Sequence, residues 1–379
     1  MNSPPVTADL PLPPGVRSRL VNNHNGCLMH VLEAGWESPR PCVMLLHGFP
    51  ELAFSWRGQM TALAQAGFHV IAPDQRGYGR SGGTGVAYDD DLFAYSPINR
   101  VADTLGLVRA LGHESVAAVV GHDFGAHVAG WCALLRPDVF RSVVFMSATF
   151  PGAPLLPLGP NAPAVQPSQR NAIAGLASLE PPRKHYWRYY ATREANSDML
   201  NCPQGVHDFL RAYFHVKSGD WAGNRPFALE AWTSGELAKL PRYYVMDAGQ
   251  DMAGTAAASM PTPAEIAACD WMSEADLRVY STEYARSGFQ GGLQSYRLMV
   301  SPLVQAQLHA FSGRTIDTPA SYISGDRDWG TWQAPGGLDR LAGSICTQMK
   351  SVDFVPGAGH WVQQEAVEEV NARLLAFLA

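Results

Sequence analysis

The five residues Gly121-His122-Asp123-Phe124-Gly125 constrain the fold of this chain more than any other stretch. They follow an apolar run at 116–120 that is typical of a short buried strand, and they precede a helical stretch at 126–135. Glycines on either side of the aspartate leave room for a sharp, strained turn that pushes the central side chain out of the sheet. The sequence therefore predicts a strand, a tight turn and a helix, with Asp123 at the apex of the turn.

An aspartate at such an apex suits one kind of chemistry. A carboxylate is already ionised at neutral pH, whereas a serine hydroxyl must lose its proton before it attacks. Attack by Asp123 on an electrophilic sp3 carbon would leave an alkyl ester on the protein itself. The alternative is that Asp123 only caps the following helix, and the pentapeptide alone does not decide between the two.

The composition of the chain excludes several classes of function. With 379 residues, of which 46% are hydrophobic, the chain can bury a large core as one large domain or two. A net charge of -6 offers no basic surface for nucleic acid or an anionic membrane. No apolar run approaches the roughly 20 residues of a membrane span, and the Pro-rich N-terminus lacks the pattern of a signal peptide.

Cysteine and histidine usage indicates a cytoplasmic protein without a metal or other cofactor. The six cysteines are scattered and form no CxxC pair, so free thiols in a reducing compartment are the simplest interpretation. The twelve histidines form no HExxH motif and no paired Cys/His spacing, so we predict no metal site. The sequence does not determine the oligomeric state, and a homodimer is compatible with it.

Strands alternate with helices near both ends of the chain. This alternation predicts a parallel sheet covered by helices on both faces. A hairpin of two strands at 16–21 and 28–33 comes first, and a closing helix is expected at about 367–378. Between them we predict strands at 42–46, 70–73, 116–120, 142–146, 320–324 and 352–355, and a helix at 99–111.

The alternating pattern breaks in the middle of the chain. Six prolines between Pro151 and Pro167 exclude regular structure there, and the residues up to about 299 are helical in character and rich in aromatics, apart from a predicted loop at 248–263. A helical lid over the carboxyl edge of the sheet would cover the place where such folds bind ligands. We therefore predict a Pro-rich arm at 1–15, an α/β core at 16–152 and 300–379, and a helical cap at 153–299.

A nucleophile needs an acid and a base, and these should follow it in that order along the chain. His360 lies in a glycine-rich loop directly after a strand and is the predicted base. Asp326 and Asp328 both follow the preceding strand. Asp328 lies deeper in its loop and is the predicted acid, whereas Asp326 beside Gly325 suits turn capping. Residues 147–150 contain no carboxylate, which excludes an acid after the strand at 142–146.

The segment His47-Gly48-Phe49-Pro50 follows another strand and supplies a candidate oxyanion donor. We predict that the amides of Phe49 and Phe124 point at one oxygen. In an ester built on Asp123 that oxygen is the ester carbonyl, so the two amides would stabilise the species formed when water, activated by His360, attacks the ester. The chain must turn sharply to direct the Phe49 amide, so we predict a cis Phe49–Pro50 peptide.

These motifs resemble those of the α/β-hydrolase epoxide hydrolases of the soluble type, and the resemblance covers nearly the whole chain after the N-terminal arm. It implies an α/β-hydrolase fold with a mainly parallel central sheet and an inserted helical cap. The segments beginning at His185 and Ser287 are similar to those that carry the two lid tyrosines of that family. The matching core motifs are His47-Gly48-Phe49-Pro50-Glu51 with Ser55-Trp56-Arg57, Asp74-Gln75-Arg76-Gly77-Tyr78-Gly79 and Gly121-His122-Asp123-Phe124-Gly125-Ala126.

The resemblance also assigns roles. It implies that Tyr186 and Tyr296 hydrogen-bond the oxygen of a small apolar epoxide and donate a proton as the ring opens, for which a phenol of pKa about 10 is acidic enough. Tyr189 and Tyr190 lie within about one helical turn of Tyr186, so they are alternatives for the first lid tyrosine. Hydrolysis of the Asp123 ester by water would then release a vicinal diol.

Two other functions use the same kind of scaffold. Haloalkane dehalogenases also have an Asp nucleophile, but they hold the halide with side-chain N–H donors at the positions that are Phe49 and Phe124 here. A non-catalytic ligand receptor of the same fold would not need the complete set of Asp123, Asp328 and His360. Both alternatives are therefore less favoured than an epoxide hydrolase.

Overall fold

A computed structural model of the chain describes residues 9–37, 39–156 and 169–379, and its largest element is an eight-stranded sheet. Residues 1–8 of the predicted arm lie outside the described residues, as does most of the Pro-rich stretch after Pro151. The strands of the large sheet are β1 (Val16–Asn22), β2 (Leu28–Ala34), β3 (Cys42–Leu46), β4 (His69–Pro73), β5 (Ala118–His122), β6 (Val143–Met146), β9 (Ala320–Gly325) and β10 (Met349–Val355); a small second sheet contains β7 (Arg183–His185) and β8 (Val245–Asp247).

The large sheet is mainly parallel, as the sequence predicts. Its strand order is β1-β2-β4-β3-β5-β6-β9-β10, and every pairing from β4 to β10 is parallel. The β1–β2 hairpin joins it through an antiparallel pairing with β4. Strands β3, β4 and β5 are buried along their whole length, which is why they contain unbroken apolar runs rather than alternating ones.

Helices cover both faces of this sheet and supply the crossovers that parallel strands require. The helices outside the middle segment are α1 (Arg57–Gln65), α2 (Pro97–Ala110), α3 (Phe124–Leu135), α13 (Pro302–Leu308), α14 (Gly337–Arg340), α15 (Val362–Glu365) and α16 (Val367–Leu378). The middle segment contains α4 (Gln169–Gly175), α5 (Tyr186–Tyr190), α6 (Glu194–Leu200), α7 (Gly205–Lys217), α8 (Ser234–Leu237), α9 (Met252–Ala257), α10 (Pro263–Ala268), α11 (Glu274–Ser287) and α12 (Gln290–Val300).

Three buried apolar clusters hold these layers together. One lies between the sheet and helices α1 and α16, and a second lies between the opposite face and helices α2 and α3. The third is the core of the middle segment, and it also includes Phe49 and Trp361 from loops that follow strands of the large sheet. Since these loops lie at the carboxyl edge of the sheet, the middle segment is packed over that edge.

The structure differs from the sequence predictions at several places. Strand β10 begins at Met349 rather than at 352, and the middle segment contains strands β7 and β8 besides its helices. Two further differences have a clear cause. The apolar run predicts a strand at 116–120, but β5 extends to His122, because the backbone ladder with β6 continues past the last apolar side chain. The stretch at 248–263 is predicted as a loop, but it contains α9. The Asp251 side chain accepts a hydrogen bond from the Gly254 amide and so caps this helix at its start.

All eight strands of the large sheet lie within residues 16–152 and 300–379. Helices α4 to α11 lie within 153–299, and α12 ends one residue beyond this range, at Val300. The exact boundaries between core and middle segment stay a prediction. Among the described residues, no helix has both the length and the apolar character needed to cross a membrane.

Candidate active site

Asp123 occupies the apex of a strained turn between β5 and α3. Its φ of 51° and ψ of -119° are unusual for a residue with a side chain. A Cβ atom on Gly121 would overlap the carbonyl oxygen of Gly125, and one on Gly125 would overlap that of Leu46, so both positions require glycine. The Asp123 side chain makes no capping hydrogen bond to α3 and instead lines a cavity.

The two carboxylate oxygens of Asp123 face different partners. Oδ1 accepts a hydrogen bond of 3.1 Å from the Phe49 amide, and Oδ2 lies 3.4 Å from Nε2 of His360. Burial by itself would raise the pKa of Asp123, but His360, Lys217 and His122 outweigh burial and hold this pKa well below its usual range. The carboxylate is therefore ionised at neutral pH, as a nucleophile must be.

Asp328 rather than Asp326 lies against His360. Its Oδ1 is 3.0 Å from Nδ1 of His360 and accepts a hydrogen bond from the Gly330 amide at 2.6 Å. Its Oδ2 accepts a hydrogen bond from the Ser324 hydroxyl at 3.1 Å. Burial opposes the ionised form, but His360 outweighs it and lowers the pKa of Asp328. Asp326 instead accepts a hydrogen bond from the Gly357 amide in an exposed turn.

This contact determines which nitrogen of His360 is free. A carboxylate can only accept, so Nδ1 carries the hydrogen and the neutral ring keeps a lone pair on Nε2. Within the described residues, that buried nitrogen has no hydrogen-bond partner, and it faces Asp123. A water molecule or substrate group between the two side chains would meet a base on one side and a carboxyl group on the other.

The loop that carries His360 is held by Glu365 and by the middle segment. The Glu365 carboxylate accepts hydrogen bonds from the amides of Gly219, Gly359 and Trp361 at 2.7, 2.7 and 2.9 Å. Two of these amides flank His360 directly. The His360 amide donates to the carbonyl of Lys217 on α7 at 2.9 Å, so His360 is held by residues of the α/β core and of the middle segment.

A buried pair, Glu51 and His122, connects the loop after β3 with the loop of His360. Nδ1 of His122 lies 2.5 Å from Oε2 of Glu51, and Nε2 lies 2.6 Å from the carbonyl oxygen of His360. Both partners accept, so both ring nitrogens donate and the ring is an imidazolium. Burial opposes the charge, but Glu51 outweighs it and raises the pKa of His122. Sequence reasoning missed this pair, although His122 directly precedes Asp123 and Glu51 lies two residues after Phe49.

Lys217 adds a further buried positive charge that sequence reasoning missed. Its Nζ lies 5.2 to 5.4 Å from the ring centroids of Trp361, Tyr244 and Tyr213, an arrangement typical of cation–π contacts. This charge helps to lower the pKa of both Asp123 and Asp328. The aromatic residues of the middle segment indicated a lid, but no local pattern marked this lysine.

Tyr186 and Tyr296 pack against each other, and Tyr186 lines the cavity with Asp123 whereas Tyr296 is not among the lining residues. Their ring centroids are 5.8 Å apart, and the Tyr296 ring packs edge-on against Phe124 at 4.7 Å. The Tyr186 hydroxyl donates to Gln333 at 3.1 Å. Burial and the negative charge of Asp123 raise the pKa of Tyr186 well above its ordinary value. The pKa of Tyr296 is raised in the same way by burial, by the Tyr186 hydroxyl and by Asp123. Both phenols therefore keep their protons.

The two neighbouring tyrosines of α5 have other surroundings. The Tyr189 hydroxyl donates to Asp198 at 2.9 Å, away from the cavity. The Tyr190 ring packs against Tyr296, with centroids 4.7 Å apart. Of these three tyrosines, Tyr186 is the one that lines the cavity with Asp123.

The predicted oxyanion donors are the backbone amides of Phe49 and Phe124. The Phe49 amide contacts Asp123, and the Phe49–Pro50 peptide is cis, which confirms the predicted isomer. A Cβ atom on Gly48 would overlap the Asp123 side chain, so glycine is required there. The amide of Phe124 belongs to the first residue of α3, and its contact with the same oxygen stays a prediction.

The cavity above Asp123 has a volume of about 560 Å³ and suits a small organic molecule. Its apolar walls include Trp131, Ile173, Trp187, Leu298 and Met299. In the part of the chain that the structure describes, no group of three or more His, Cys, Asp or Glu side chains is arranged to hold a metal ion.

Glu365 provides a pH-dependent test of the His360 loop. Burial raises its pKa to about 7 from an ordinary 4.5, although the three amides oppose the shift. Between pH 4.5 and about 7, Glu365 is ionised in the unfolded chain but keeps its proton in the folded protein. The contribution of Glu365 to the free energy of unfolding therefore falls as pH rises through this range. We expect the melting temperature of Glu365→Gln, measured relative to wild type, to improve from pH 4.5 to 7. The exposed neighbour Glu368→Gln is the control, and a flat difference for both variants would contradict the prediction.

Comparison with known proteins agrees with this geometry. The family model described as "alpha/beta hydrolase fold" matches residues 41–367. Epoxide hydrolases B and A of Mycobacterium tuberculosis are 33% and 34% identical to this chain; the alignments cover 95% of this chain in both cases, and 97% and 96% of those proteins. A solved epoxide hydrolase from an endophytic Streptomyces aligns with a TM-score of 0.74 and 32% identity, covering 97% of this chain and 96% of that one. Epoxide hydrolase A from Mycobacterium thermoresistibile aligns with a TM-score of 0.71 and 31% identity, covering 96% and 98%. This chain therefore belongs to the α/β-hydrolase fold family and, within that family, to the epoxide hydrolases.

Proposed function

We propose that this protein hydrolyses an epoxide to a vicinal diol through a covalent ester on Asp123. The observation that carries the proposal is the contact between three side chains, of which Asp123 lines the cavity and the other two lie behind it. An ionised Asp123 faces the free nitrogen of His360, whose other nitrogen contacts Asp328. A nucleophile with an oriented base behind it is the arrangement required for covalent catalysis followed by hydrolysis.

Ring opening is the first step. Oδ1 of Asp123 is held by the Phe49 amide, so Oδ2 is the oxygen that attacks an oxirane carbon. As the new C–O bond forms, the old one breaks and its electron pair moves to the epoxide oxygen. Tyr186 and Tyr296 polarise that oxygen, and one of them transfers its proton to give the hydroxyl of the ester intermediate.

Ester hydrolysis is the second step. His360 removes a proton from water, and the resulting hydroxide attacks the carbonyl carbon of Asp123 while Asp328 stabilises the imidazolium. Negative charge develops on Oδ1, where Phe49 and, we propose, Phe124 donate their amides. Collapse of this species breaks the ester C–O bond and expels an alkoxide, which takes the proton of the carboxylic acid left on Asp123, so the second hydroxyl of the diol and the ionised carboxylate form together. One proton transfer from the imidazolium to the tyrosinate, direct or through water, restores both groups.

The proposal extends to the organisation and the cellular setting of the protein. Residues 153–299 would act as a cap that excludes water from the site, and the apolar walls would hold the carbon skeleton of a small, largely apolar epoxide. All six cysteines are free thiols, which supports a cytoplasmic location. A homodimer stays a prediction.

The tyrosines are tested by removing one hydroxyl at a time. We expect Tyr186→Phe and Tyr296→Phe each to slow ring opening by about 10-fold to 100-fold, because each single variant retains one of the two proton donors. The double variant retains neither and should lose more activity than either single variant. Stopped-flow measurement of ester formation separates this effect from hydrolysis. Tyr190→Phe is the matched control, because its ring packs in the same cluster. Unchanged ring opening in both single variants would remove the tyrosines from the mechanism.

A further inference from the structure

Three buried hydroxyl groups lie in a row behind Asp328. The Ser324 hydroxyl contacts Oδ2 of Asp328 at 3.1 Å. The Thr331 hydroxyl lies 2.9 Å from that of Ser324, and the Tyr322 hydroxyl lies 2.8 Å from that of Thr331. All four side chains are at most 1% exposed. They therefore form one buried chain of hydrogen bonds that begins at Tyr322 and ends at the predicted acid.

The local sequence explains why these groups meet. Tyr322 and Ser324 are two residues apart on β9, so their side chains point to the same face of the sheet. The loop after β9 contains Asp328 and then Thr331, and it turns tightly at its start, where the Asp328 amide donates to the carbonyl of Gly325 at 3.2 Å. The Thr331 hydroxyl thereby reaches the hydroxyls of both strand residues.

The direction of each hydrogen bond in the chain is determined by its last member. An ionised carboxylate only accepts, so the Ser324 hydrogen points at Asp328. A hydroxyl has one hydrogen, so Ser324 must accept from Thr331, and Thr331 must accept from Tyr322. Burial and the charge of Asp328 raise the pKa of Tyr322 above its ordinary value, so the phenol keeps the hydrogen that starts the chain. Bonds aligned in one direction in this way strengthen one another.

The hydroxyl chain supports the oxygen of Asp328 that does not face the base. Oδ1 faces His360 and accepts from the Gly330 amide. Among the described residues, Ser324 is the only one that donates to Oδ2. Without this donor, Oδ2 would be a buried carboxylate oxygen with no hydrogen bond, and the carboxylate would attract a proton or an imidazolium more strongly.

We propose that Ser324, Thr331 and Tyr322 are positioning residues that act through Asp328 on the hydrolysis of the Asp123 ester. None of the three lines the cavity, so they do not touch the substrate. Their part is to hold the carboxylate in one orientation and to limit how strongly it retains the protonated base. This role rests on the proposed function, since it concerns the second of its two steps.

The effect should be confined to one step and to one region of pH. We expect Ser324→Ala to form the ester at a rate within about 2-fold of wild type but to hydrolyse it about 10-fold more slowly. The acidic limb of the pH profile for hydrolysis should move up by about half a unit to one unit, because Asp328 with one donor fewer holds the protonated base more strongly. Stopped-flow measurement of both steps between pH 5 and 9 gives these values. A general defect in packing would slow both steps and leave the limb in place.

The outer members of the chain should act in the same direction but more weakly. We expect the limb to move less in Thr331→Val than in Ser324→Ala, and less again in Tyr322→Phe. Thr331→Ser keeps a hydroxyl and should behave like wild type. In a Ser324→Ala background, Tyr322→Phe should move the limb no further, because the chain is already interrupted. Tyr322→Phe removes one oxygen at the far end, so it keeps the test decisive if Ser324→Ala does not fold.

The other titratable groups around the acid and the base stay in place in all these variants. Those that face Asp328 or His360 from other elements include Asp123, His122, Lys217, Tyr243 and Tyr244. None of them forms a hydrogen bond with the three hydroxyls. A change in the pH profile is therefore attributable to the hydroxyl chain.

Ser321→Ala is the matched control, because Ser321 is a buried serine on the same strand whose hydroxyl contacts Ser351 at 2.8 Å instead. It should leave both steps and the limb unchanged. An unmoved limb in both Ser324→Ala and Tyr322→Phe would overturn the role of the chain while leaving epoxide hydrolysis intact, and so would equal slowing of the two steps. Failure of the wild-type protein to form an ester or a diol from any epoxide would instead contradict the proposed function itself.

Discussion

Replacing Asp123 by alanine abolishes diol formation, with an expected loss in kcat/KM of at least about 10⁴-fold. The size of the effect follows from the two proposed steps, in which this one carboxylate both opens the ring and becomes the ester that water attacks. No neighbour can replace it: Asp328 is 3.0 Å from the far nitrogen of His360 and is held there by two further hydrogen bonds. Diol release from a panel of epoxides measures the loss.

The variant should remain folded, which makes the loss of activity interpretable. The Asp123 side chain does not cap α3, so alanine removes no helix-capping hydrogen bond. Circular dichroism and melting temperature check the fold. Asp326→Ala is the matched control, because it removes a carboxylate from an exposed turn on the same sheet edge. Retention of more than about 1% of wild-type turnover in Asp123→Ala would mean that ring opening proceeds without a covalent ester.

The main features of the site were predictable from sequence because each belongs to a strand end. Parallel strands present their carboxyl ends at one edge, so Asp123, Asp328 and His360, each in a loop after a strand, were expected to meet there. The structure places all three within contact distance. Asp328 could be distinguished from Asp326 by its place in the loop, since the residue nearer Gly325 is the one that closes the turn.

The supporting residues could not be predicted in the same way. Glu51 and His122 are 71 residues apart, and the contact of His122 with the His360 carbonyl spans 238 residues. Nothing in a local pattern indicates which buried acid meets which buried histidine. The three amides on Glu365 depend likewise on tertiary packing. Periodicity does not tell which of Tyr186, Tyr189 and Tyr190 reaches the cavity, because the three lie within about one helical turn.

The end of β5 illustrates a related limit. An apolar run reports burial of side chains, whereas a strand is defined by backbone pairing, and Gly121 and His122 pair with β6 although neither is a large apolar residue. Helix α9 shows a similar limit, because its alanine-rich sequence lies in a stretch that also contains glycines and prolines. Composition predicted a loop there, but a single Asp251 cap and tertiary contacts were sufficient to form a short helix.

Changing His360 to glutamine should stop the reaction after its first step. Ring opening needs an ionised Asp123 and a phenolic proton, and neither comes from His360. Hydrolysis needs a proton acceptor for water, and glutamine cannot serve as one. We therefore expect the variant to consume about one equivalent of epoxide in a rapid phase and then to turn over at least about 10³-fold more slowly than wild type.

Intact mass spectrometry of His360→Gln also separates the proposed function from its alternatives. A gain equal to the whole epoxide, located on Asp123 by peptide mapping, is the expected result, because ring opening retains every atom of the substrate. A gain of an alkyl group alone after treatment with a haloalkane, with halide released, would identify a dehalogenase. A receptor would bind without forming any adduct. The rate of ester hydrolysis in Asp328→Asn should lie between that of His360→Gln and that of wild type. This variant keeps the imidazole of His360 but removes the carboxylate that orients the ring and stabilises its charged form. The ester should therefore accumulate only in part.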